Sequence, residues 1–352
     1  MRGEAVRLLA APQRGVLLTD GREVEADIIV LAMGNLPPRP PGGPDRWVYD
    51  TGYFIADPWA PNALEAIDPS EALLLIGTGL TMVDVALHLR RNGHSGPMLA
   101  ASRRGLLPTA HKAGGIWPPF LTNMLPASPL ALLRIFRAEV KRAGEQGVAW
   151  QRVFDAARPA VPSIWSGWNG EQRRQFLRHL RPRWDIHRHR MAPEVARDLD
   201  RLIQTGQLQT FAGRIVKFEE YDGAIDVAFH KRGGGQQLFA ADTIINCTGP
   251  GGDFDRIAIP LIANLREQGL GMADDLGIGL QTDDCAVLDR NGLASDWLFA
   301  LGPLTRPAWW EIIAVPEIAL QVQRLVSQLA AGKETRPPRL TSDDFLGIGE
   351  GI

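Results

Sequence analysis

The clearest hydrophobic and polar patterning along the chain lies between residues 71 and 105. An apolar run at 72–76 predicts a short buried strand. A helical pattern follows at 80–89, where apolar residues return at every third or fourth position. A turn at Asn92 ends this helix, and a second run at 97–101 predicts another strand. The stretch is therefore predicted to fold as strand, helix and strand.

A glycine turn joins the first strand to the helix. The turn and the start of the helix comprise Gly77, Thr78, Gly79, Leu80 and Thr81. Gly77 permits a tight turn, and Gly79 lets backbone N–H groups approach a pyrophosphate at the positive end of the helix dipole. Met82 stands where glycine or alanine is usual, which concerns helix–strand packing rather than the phosphate contact. The pattern predicts a dinucleotide-binding unit, and the alternative is a helix packed on a strand for shape alone.

The residues after the second strand indicate which dinucleotide is bound. An NAD site usually has an acidic residue there, whereas this chain has Ser102, Arg103 and Arg104. Two guanidinium groups and a hydroxyl suit a ribose 2′-phosphate, so NADP(H) is favoured. The alternative is a solvated basic turn.

Similar patterns predict the other elements. Two groups of strands, each with hairpin signals, form β-meanders at 5–33 and 208–247, and a further apolar strand lies at 297–301. Helices are predicted at 130–145, 193–205 and 316–330.

The two meanders end in similar sequences, ADIIVLAMGN at 26–35 and ADTIINCTGP at 241–250. Each follows a hairpin and places an aspartate seven residues before a glycine, Gly34 or Gly249. Two such strands imply two nucleotide domains, but only one phosphate-binding turn is present, and it lies between them. We therefore expect that the chain begins inside a first domain. The alternative is a minimal form that obtains the missing strands from a partner.

Composition narrows the function. The 352 residues are 45% hydrophobic and 22% charged, with a net charge of -2, so no global field attracts nucleic acid or an anionic membrane. No apolar run is long enough to span a bilayer, and the N-terminus lacks a signal-peptide pattern. Cys247 and Cys285 form neither a disulfide framework nor a metal site. A cytoplasmic protein is the default expectation, with Cys247 as a small core residue.

The chain resembles the two-domain, glutathione-reductase-like FAD/NAD(P)-binding oxidoreductases, and most closely the group that includes FAD-dependent urate hydroxylase and aspartate N-monooxygenase. The resemblance rests on the two repeated strands and on LLLIGTGLTMVDVALHL, SRRGLLP, RPRWDIHRHRMAP and LGPLTRPAWWEIIAVPEIALQ. It implies an α/β fold of two Rossmann-like domains with β-meanders, the first domain incomplete at its N-terminus. It also implies FAD and NADP(H) as cofactors.

The resemblance further implies a division of the chain and a flavin site. Residues 1–65 would be a partial FAD domain, 66–248 the NADP(H) domain with a Trp- and Arg-rich helical insertion at about 115–195, 249–331 a return to the FAD domain, and 332–352 a flexible tail. The residues implied to lie near FAD, or to close over the flavin, are Gly34, Asn35, Gly249, Gly302, Pro303, Trp310 and Glu311.

A basic stretch at 171–190 contains seven arginines and three of the seven histidines. If its last part were a strand, His187 and His189 would lie on one face and Arg188 and Arg190 on the other. Such a cluster could bind an anionic substrate or the cofactor phosphates. The alternative is a solvated or domain-bridging basic segment.

The sequence thus predicts an NADPH-dependent flavoprotein oxidoreductase of the monooxygenase type that acts on a small molecule, although it identifies no catalytic residue. The absence of a cysteine pair disfavours a disulfide reductase. Two alternatives stay open: a simple NADPH:flavin reductase, and a non-catalytic or truncated NADP(H)-binding module.

Overall fold

The computed structural model describes residues 2–10, 12–43, 45–121 and 125–331. The tail expected at 332–352 lies outside these residues. No helix among them is long and apolar enough to cross a bilayer.

The strands and helices follow the chain in this order. The strands are β1 Ala5–Leu9, β2 Gly15–Leu18, β3 Glu23–Glu25, β4 Ile29–Leu31, β5 Phe54–Ile55, β6 Leu73–Ile76, β7 Met98–Ser102, β8 Leu208–Tyr221, β9 Ala224–Lys231, β10 Gln236–Ala241, β11 Thr243–Asn246, β12 Thr282–Asp283, β13 Ala286–Leu288 and β14 Ala294–Ala300. The α-helices are α1 Leu80–Arg91, α2 Pro129–Glu145, α3 Trp150–Ala157, α4 Val161–Gly167, α5 Gly170–Gln175, α6 Arg181–Arg188, α7 Pro193–Gln204, α8 Pro260–Gln268, α9 Arg306–Trp309 and α10 Val315–Ala331. Short 3-10 helices lie at Arg46–Asp50, Arg158–Ala160, Phe254–Arg256 and Gly302–Thr305, and a π-helical turn lies at Phe176–Leu180.

The chain divides into two compact units. Unit 1 comprises the described residues of Met1–Leu36, Ile116–Phe176 and Gly251–Ile352, and unit 2 comprises those of Pro37–Gly115 and Leu177–Pro250. Residues 37–65, expected in the FAD domain, belong to unit 2, and most of the expected helical insertion belongs to unit 1. The domain boundaries given from the sequence stay a prediction.

Unit 2 is built on a sheet that, within the described residues, has the strand order β10-β9-β8-β7-β6-β11-β5. Strands β5, β11, β6, β7 and the start of β8 are parallel, and β8, β9 and β10 form the antiparallel meander. Side chains of β6 alternate between two cores, because successive residues of a strand point to opposite faces. Leu73 and Leu75 pack with α1 and α7, whereas Leu74 and Ile76 pack with Phe229 and other residues of the meander. Both faces of β6 are therefore buried.

Helix α1 packs on the first of these cores. Met82 is fully buried beside Val83 and Ala86, so the unusual third position of the glycine motif contributes to the core. Asp242, from the repeated Ala-Asp sequence, fixes the start of the sheet, because its carboxylate accepts the N–H of Ala72 at 2.7 Å. The predicted strand–turn–helix–strand is thus present in unit 2.

Unit 1 contains two smaller sheets. Strands β1, β2 and β3 form an antiparallel meander, and β12, β13, β14 and β4 form a second sheet in that order. Helix α8 covers the first meander through a core that includes Leu8, Ile262 and Leu265. The strand expected at the end of the first meander, within 26–35, is only three residues long, and it leaves the meander to pair in parallel with β14.

The basic stretch differs from its expected conformation. Residues 181–188 form helix α6, not a strand, and His189 is its C-cap. A helix turns about 100° per residue, so His187 and His189 do not share a face. Proline at the start of α6 and the backbone bond from His189 N–H to the Asp185 oxygen, at 2.8 Å, favour the helix.

A buried histidine makes the stability of unit 2 depend on pH. His94 follows α1, and its Nε2 lies 3.1 Å from the Glu71 carbonyl oxygen, so Nε2 carries the proton and donates. Its buried Nδ1 has no hydrogen-bond partner among the described residues, and burial lowers the pKa of the imidazole. The unfolded chain therefore binds a proton more readily than the folded one, and stability falls as pH drops below the ordinary histidine pKa.

We expect His94→Gln to reduce this acid sensitivity, since glutamine keeps a donor for Glu71 but does not titrate near neutrality. The free energy of unfolding in urea, measured at pH 7.5 and pH 5, should fall less for the variant than for the unchanged protein. His88→Gln, at an exposed position of α1, is the control and should keep the original difference. An equal fall in all three proteins would contradict the assignment.

Candidate functional site

The turn between β6 and α1 is held by close backbone packing. Gly77 has φ +123°, and a Cβ there would lie well inside contact distance of the Cys247 carbonyl oxygen on the neighbouring strand end. Its N–H donates to the Ala101 oxygen at 2.8 Å. Only glycine combines this φ with this proximity. The backbone of the turn is therefore fixed between the ends of two parallel strands.

The first turn of α1 is open to an anion. Its N-cap is Gly79, which supplies no side-chain cap, and the first turn contains no acidic residue. A Cβ on Gly79 would meet nothing within 4 Å. Leu80 and Thr81 are partly exposed beside it. The first N–H groups of a helix have no intrahelical partner, so this end can hold a phosphate by donors and dipole together.

Thr78 and Ser102 shape the turn from inside. The Thr78 hydroxyl donates to the Leu106 carbonyl at 2.6 Å and lies 2.9 Å from Ser102 Oγ. Ser102 Oγ accepts the N–H of Gly105 at 2.9 Å. These bonds hold the glycine turn against the loop that follows β7.

A cavity of about 740 Å³, here called the nucleotide cavity, opens at these strand ends within unit 2. Gly77, Ser102 and Arg103 line it, together with Tyr49 and Arg214. It joins an aromatic ring, a polar turn and two guanidinium groups in one site. That combination fits the base, the pyrophosphate and the phosphorylated ribose of NADP(H).

A second cavity of about 510 Å³, here called the basic pocket, is also lined by Arg103 and Arg214. Its remaining basic lining residues are Arg104, Arg178, His179, His230, Lys231 and Arg232. Burial lowers the pKa of Arg104, and the charges of Arg103, Arg232 and Arg183 lower it further. The Arg104 guanidinium donates to the Arg178 carbonyl oxygen at 3.3 Å.

Strand register explains why the sequence showed only part of this cluster. Ser102 of β7 pairs with Ala212 of β8, and Gly213 then pairs with Lys231 of β9. Residues more than 100 positions apart are thus placed beside Arg103. The available signal was the basic sequence HKR at 230–232, inside the meander predicted at 208–247.

In unit 1, two loops with glycine lie at neighbouring strand ends. Strands β4 and β14 are parallel, with Leu31 opposite Ala300. Gly34 and Gly302 follow them with φ +66° and +74°, and a Cβ on either would meet nothing within 4 Å. Asn35 is exposed beside Gly34, and the Gly302 N–H donates to the buried Gln321 at 2.8 Å. Open glycines at adjacent carboxyl ends of parallel strands fit the close approach of a cofactor such as FAD.

The other expected flavin residues have different surroundings. Pro303 lies in the 3-10 helix Gly302–Thr305, and Gly249 lies in unit 2 with φ +86°. Trp310 is 3% exposed and stacks on Trp165, with ring centroids 4.7 Å apart. Glu311 is 7% exposed. Trp310 therefore belongs to an aromatic core of unit 1.

A third cavity, of about 200 Å³, lies in unit 1 and is lined by charged residues that include Arg173, Asp274 and Arg324. The Arg173 guanidinium donates to the Trp165 oxygen at 3.0 Å and lies over the Trp165 ring. Burial lowers the pKa of Arg173 and raises the pKa of Asp274. The cavity thus presents both signs of charge to a small ligand.

The remaining candidates do not join these sites. Neither cavity of unit 2 is lined by His187, Arg188, His189 or Arg190, and His187 Nδ1 lies 2.6 Å from the Arg183 oxygen. Both cysteines are free and buried. Burial raises the pKa of Cys247, and burial with nearby Asp284 raises that of Cys285 to about 12. Among the described residues, no group of side chains could hold a metal ion.

Comparison with known proteins defines the fold. No family model and no curated protein matches the chain. An ornithine N-hydroxylase from Kutzneria sp. 744, determined with reduced FAD, NADP⁺ and L-ornithine, is similar with a TM-score of 0.55 and 16% identity over 92% of this chain and 72% of that one. The cadaverine monooxygenase DfoA from Erwinia amylovora, bound to FAD, has a TM-score of 0.59 and 10% identity over 96% of this chain and 70% of that one. Ornithine hydroxylase from Pseudomonas aeruginosa has a TM-score of 0.51 and 16% identity over 91% of this chain and 68% of that one.

These similarities confirm the predicted fold class. At 10–16% identity they concern the fold, which this chain shares with two-domain flavoproteins. The α/β architecture predicted from the glycine turn and the two meanders is the architecture observed.

Substitution of the two glycines of the turn, one at a time, should distinguish an effect on stability from an effect on NADP⁺ binding. We expect Gly77→Ala to lower the free energy of unfolding by about 2–4 kcal/mol, because the methyl group meets the Cys247 backbone at an unfavourable φ. Gly79→Ala, at φ -84° in open space, should change stability by less than about 1 kcal/mol. Its methyl group would instead weaken NADP⁺ binding by about 10-fold, because it occupies the approach of the pyrophosphate. Urea unfolding and calorimetric titration measure the two effects, and equal losses of stability would contradict this geometry.

Proposed function

We propose that this protein is an FAD- and NADPH-dependent oxidoreductase of the monooxygenase type. The observation that carries the proposal is the uncapped N-terminus of α1, which opens beside a nucleotide cavity lined by Arg103 and Arg214. The chemistry that the bound cofactors would supply is hydride transfer from NADPH to FAD and activation of O₂ for oxygenation of a small substrate. The fold shared with an ornithine N-hydroxylase determined with reduced FAD and with a cadaverine monooxygenase bound to FAD supports this class.

The chain's own residues would bind and orient NADP(H). The backbone from Gly77 to Thr81 would hold the pyrophosphate by N–H donors, and Thr78 with Ser102 would keep the turn in shape. Arg103 would pair with the 2′-phosphate, because it lines the nucleotide cavity at the end of β7. The same role for Arg104 stays a prediction, since Arg104 lines the basic pocket only.

FAD would approach unit 1 at the ends of β4 and β14. Gly34 and Gly302 leave open space there, and Asn35 and Pro303 flank them. For Gly249 and Glu311 a flavin contact stays a prediction. Trp310 would contribute to the flavin side of unit 1 indirectly, because its ring is held in the aromatic core by stacking on Trp165.

The substrate would be a small molecule with a primary amine. The similar hydroxylases are described as acting on ornithine and cadaverine. The charged cavity of unit 1, with Asp274 and Arg173, offers a carboxylate for an ammonium group and a guanidinium for a carboxylate. A role in substrate binding for His187, Arg188, His189 and Arg190 stays a prediction. Membership of the group that includes urate hydroxylase and aspartate N-monooxygenase also stays a prediction. A cytoplasmic location accompanies the proposal.

Removal of the guanidinium at position 103 should alter dinucleotide preference. We expect Arg103→Ala to weaken NADP⁺ binding by about 10-fold or more, since a charge-assisted bond contributes about 1.5–3 kcal/mol. NAD⁺ has no 2′-phosphate, and its affinity should change by less than about 2-fold. Arg91→Ala, at the exposed far end of α1, is the matched control. Equal weakening of both dinucleotides would refute the role of Arg103.

Flavin chemistry distinguishes the proposal from its alternatives. We expect the purified chain to retain added FAD through gel filtration, to bleach anaerobically with NADPH, and to consume O₂ when an aliphatic diamine or basic amino acid is added. Flavin reduction without an oxygenated product would indicate a simple NADPH:flavin reductase. Binding of NADP⁺ without FAD would indicate the non-catalytic module.

A further inference from the structure

The basic pocket holds more positive charge than one phosphate requires. Six arginine and lysine side chains line it: Arg103, Arg104, Arg178, Arg214, Lys231 and Arg232. His179 and His230 add two further possible donors. A single phosphomonoester is commonly satisfied by two or three such groups, because it has three acceptor oxygens. Acidic neighbours or a second anionic ligand would neutralise the remaining positive charge.

Acidic neighbours do not neutralise it. Within the described part of the chain, none of the six cationic side chains forms an ion pair with a carboxylate. The environment of Arg104 shows the consequence, because Arg103, Arg232 and Arg183 all act on it as like charges. Like charges held close together destabilise a fold unless an anion lies among them.

The six arginine and lysine side chains are distributed between the two cavities of unit 2. Arg103 and Arg214 line both cavities, and their two guanidinium groups supply enough donors for a 2′-phosphate on the nucleotide side. Arg104, Arg178, Lys231 and Arg232 line only the basic pocket. Its volume of about 510 Å³ lies within the range of roughly 300–1,000 Å³ that is usual for small-molecule sites. The pocket is therefore large enough for a ligand of its own.

We propose that the basic pocket is a second anion site, which binds a small molecule carrying two or more phosphate groups while NADP(H) occupies the adjoining nucleotide cavity. The assignment of that adjoining cavity rests on the proposed function, whereas the binding of an oligophosphate does not. Arg103 and Arg214 would serve the 2′-phosphate of NADP(H), and the four cationic side chains that line only the basic pocket would hold the oligophosphate. The oligophosphate would be either a free effector or the phosphorylated part of a larger substrate.

Tripolyphosphate is a suitable probe, because it has the charge of the ligand class without a base or sugar. Calorimetric titration of the full chain at physiological salt, with and without saturating NADP⁺, tests whether the sites are separate. We expect one tripolyphosphate per chain in both cases, with affinities that differ by less than about 3-fold. Complete displacement of tripolyphosphate by NADP⁺ would overturn the proposal, since the pocket would then be the phosphate end of the dinucleotide site.

Paired variants locate the site. Lys231→Ala/Arg232→Ala removes two exposed cations at the end of β9, and should weaken tripolyphosphate by about 10-fold or more and NADP⁺ by less than about 3-fold. Arg90→Ala/Arg91→Ala removes two adjacent exposed arginines of α1 and should change neither. If both double variants weakened tripolyphosphate binding equally, general charge attraction would replace the proposed site. Loss of NADP⁺ binding in Lys231→Ala/Arg232→Ala would also overturn the proposal.

The same titrations separate this proposal from the proposed function. Binding of tripolyphosphate that depends on Lys231 and Arg232, in a chain that binds no NADP⁺, would support the second anion site and refute the dinucleotide assignment. Binding of NADP⁺ without tripolyphosphate would refute the second anion site alone. A phosphopantetheine-containing compound such as coenzyme A and a free nucleoside triphosphate, compared at the confirmed site, would then distinguish a substrate carrier from an effector.

Discussion

Close backbone contact between Gly77 and Cys247 is the constraint on which unit 2 depends. Parallel pairing of β6 with β11 brings the two strand ends together, and no side chain fits between them. The chain must turn sharply there, so α1 begins directly after its N-cap Gly79, and no side chain caps its first N–H groups. The anion site is thus a direct consequence of how tightly the sheet packs at this point.

A second consequence follows from strand register. Strand β8 begins in parallel with β7 and continues as the first strand of an antiparallel meander. The residues after β7 and the hairpin end of β9 therefore meet at one edge of the sheet. Their charges have the same sign, and the electrostatic cost of this arrangement falls only when an anion is bound. Geometry required for the sheet thereby creates a surface specialised for phosphate.

Unit 1 is held together by buried pairs and aromatic stacking. Glu317 of α10 pairs with Arg158, whose side chain is 35% exposed. Arg324, also of α10, pairs with Asp284 at 2.6 Å, and the side chains of this second pair are only 6% and 5% exposed. Loss of one partner from such a buried pair would leave an uncompensated charge, at a cost of about 3–5 kcal/mol. Together with the stacked Trp165 and Trp310, these pairs fix α10 and the loop before it, which follow the open strand end at Gly302.

Local patterning determined much of the fold. The apolar run of β6, the glycine turn and the amphipathic α1 follow from periodicity and from the conformational freedom of glycine, and the structure confirms them. Periodicity could not assign 181–190, because the alternation of histidine and arginine at 187–190 is compatible with a strand but does not exclude a helix. There, Pro182 and the tertiary packing of Trp184 favoured the helix.

The sequence by itself determined a dinucleotide-binding turn followed by two arginines, because both features are local. Only the tertiary structure decided what surrounds them. Register placed Arg214, Lys231 and Arg232 beside Arg103, and long-range packing buried Trp310 in an aromatic core rather than leaving it exposed. Contacts between residues far apart in sequence depend on how strands pair and helices pack, and no local pattern specifies them.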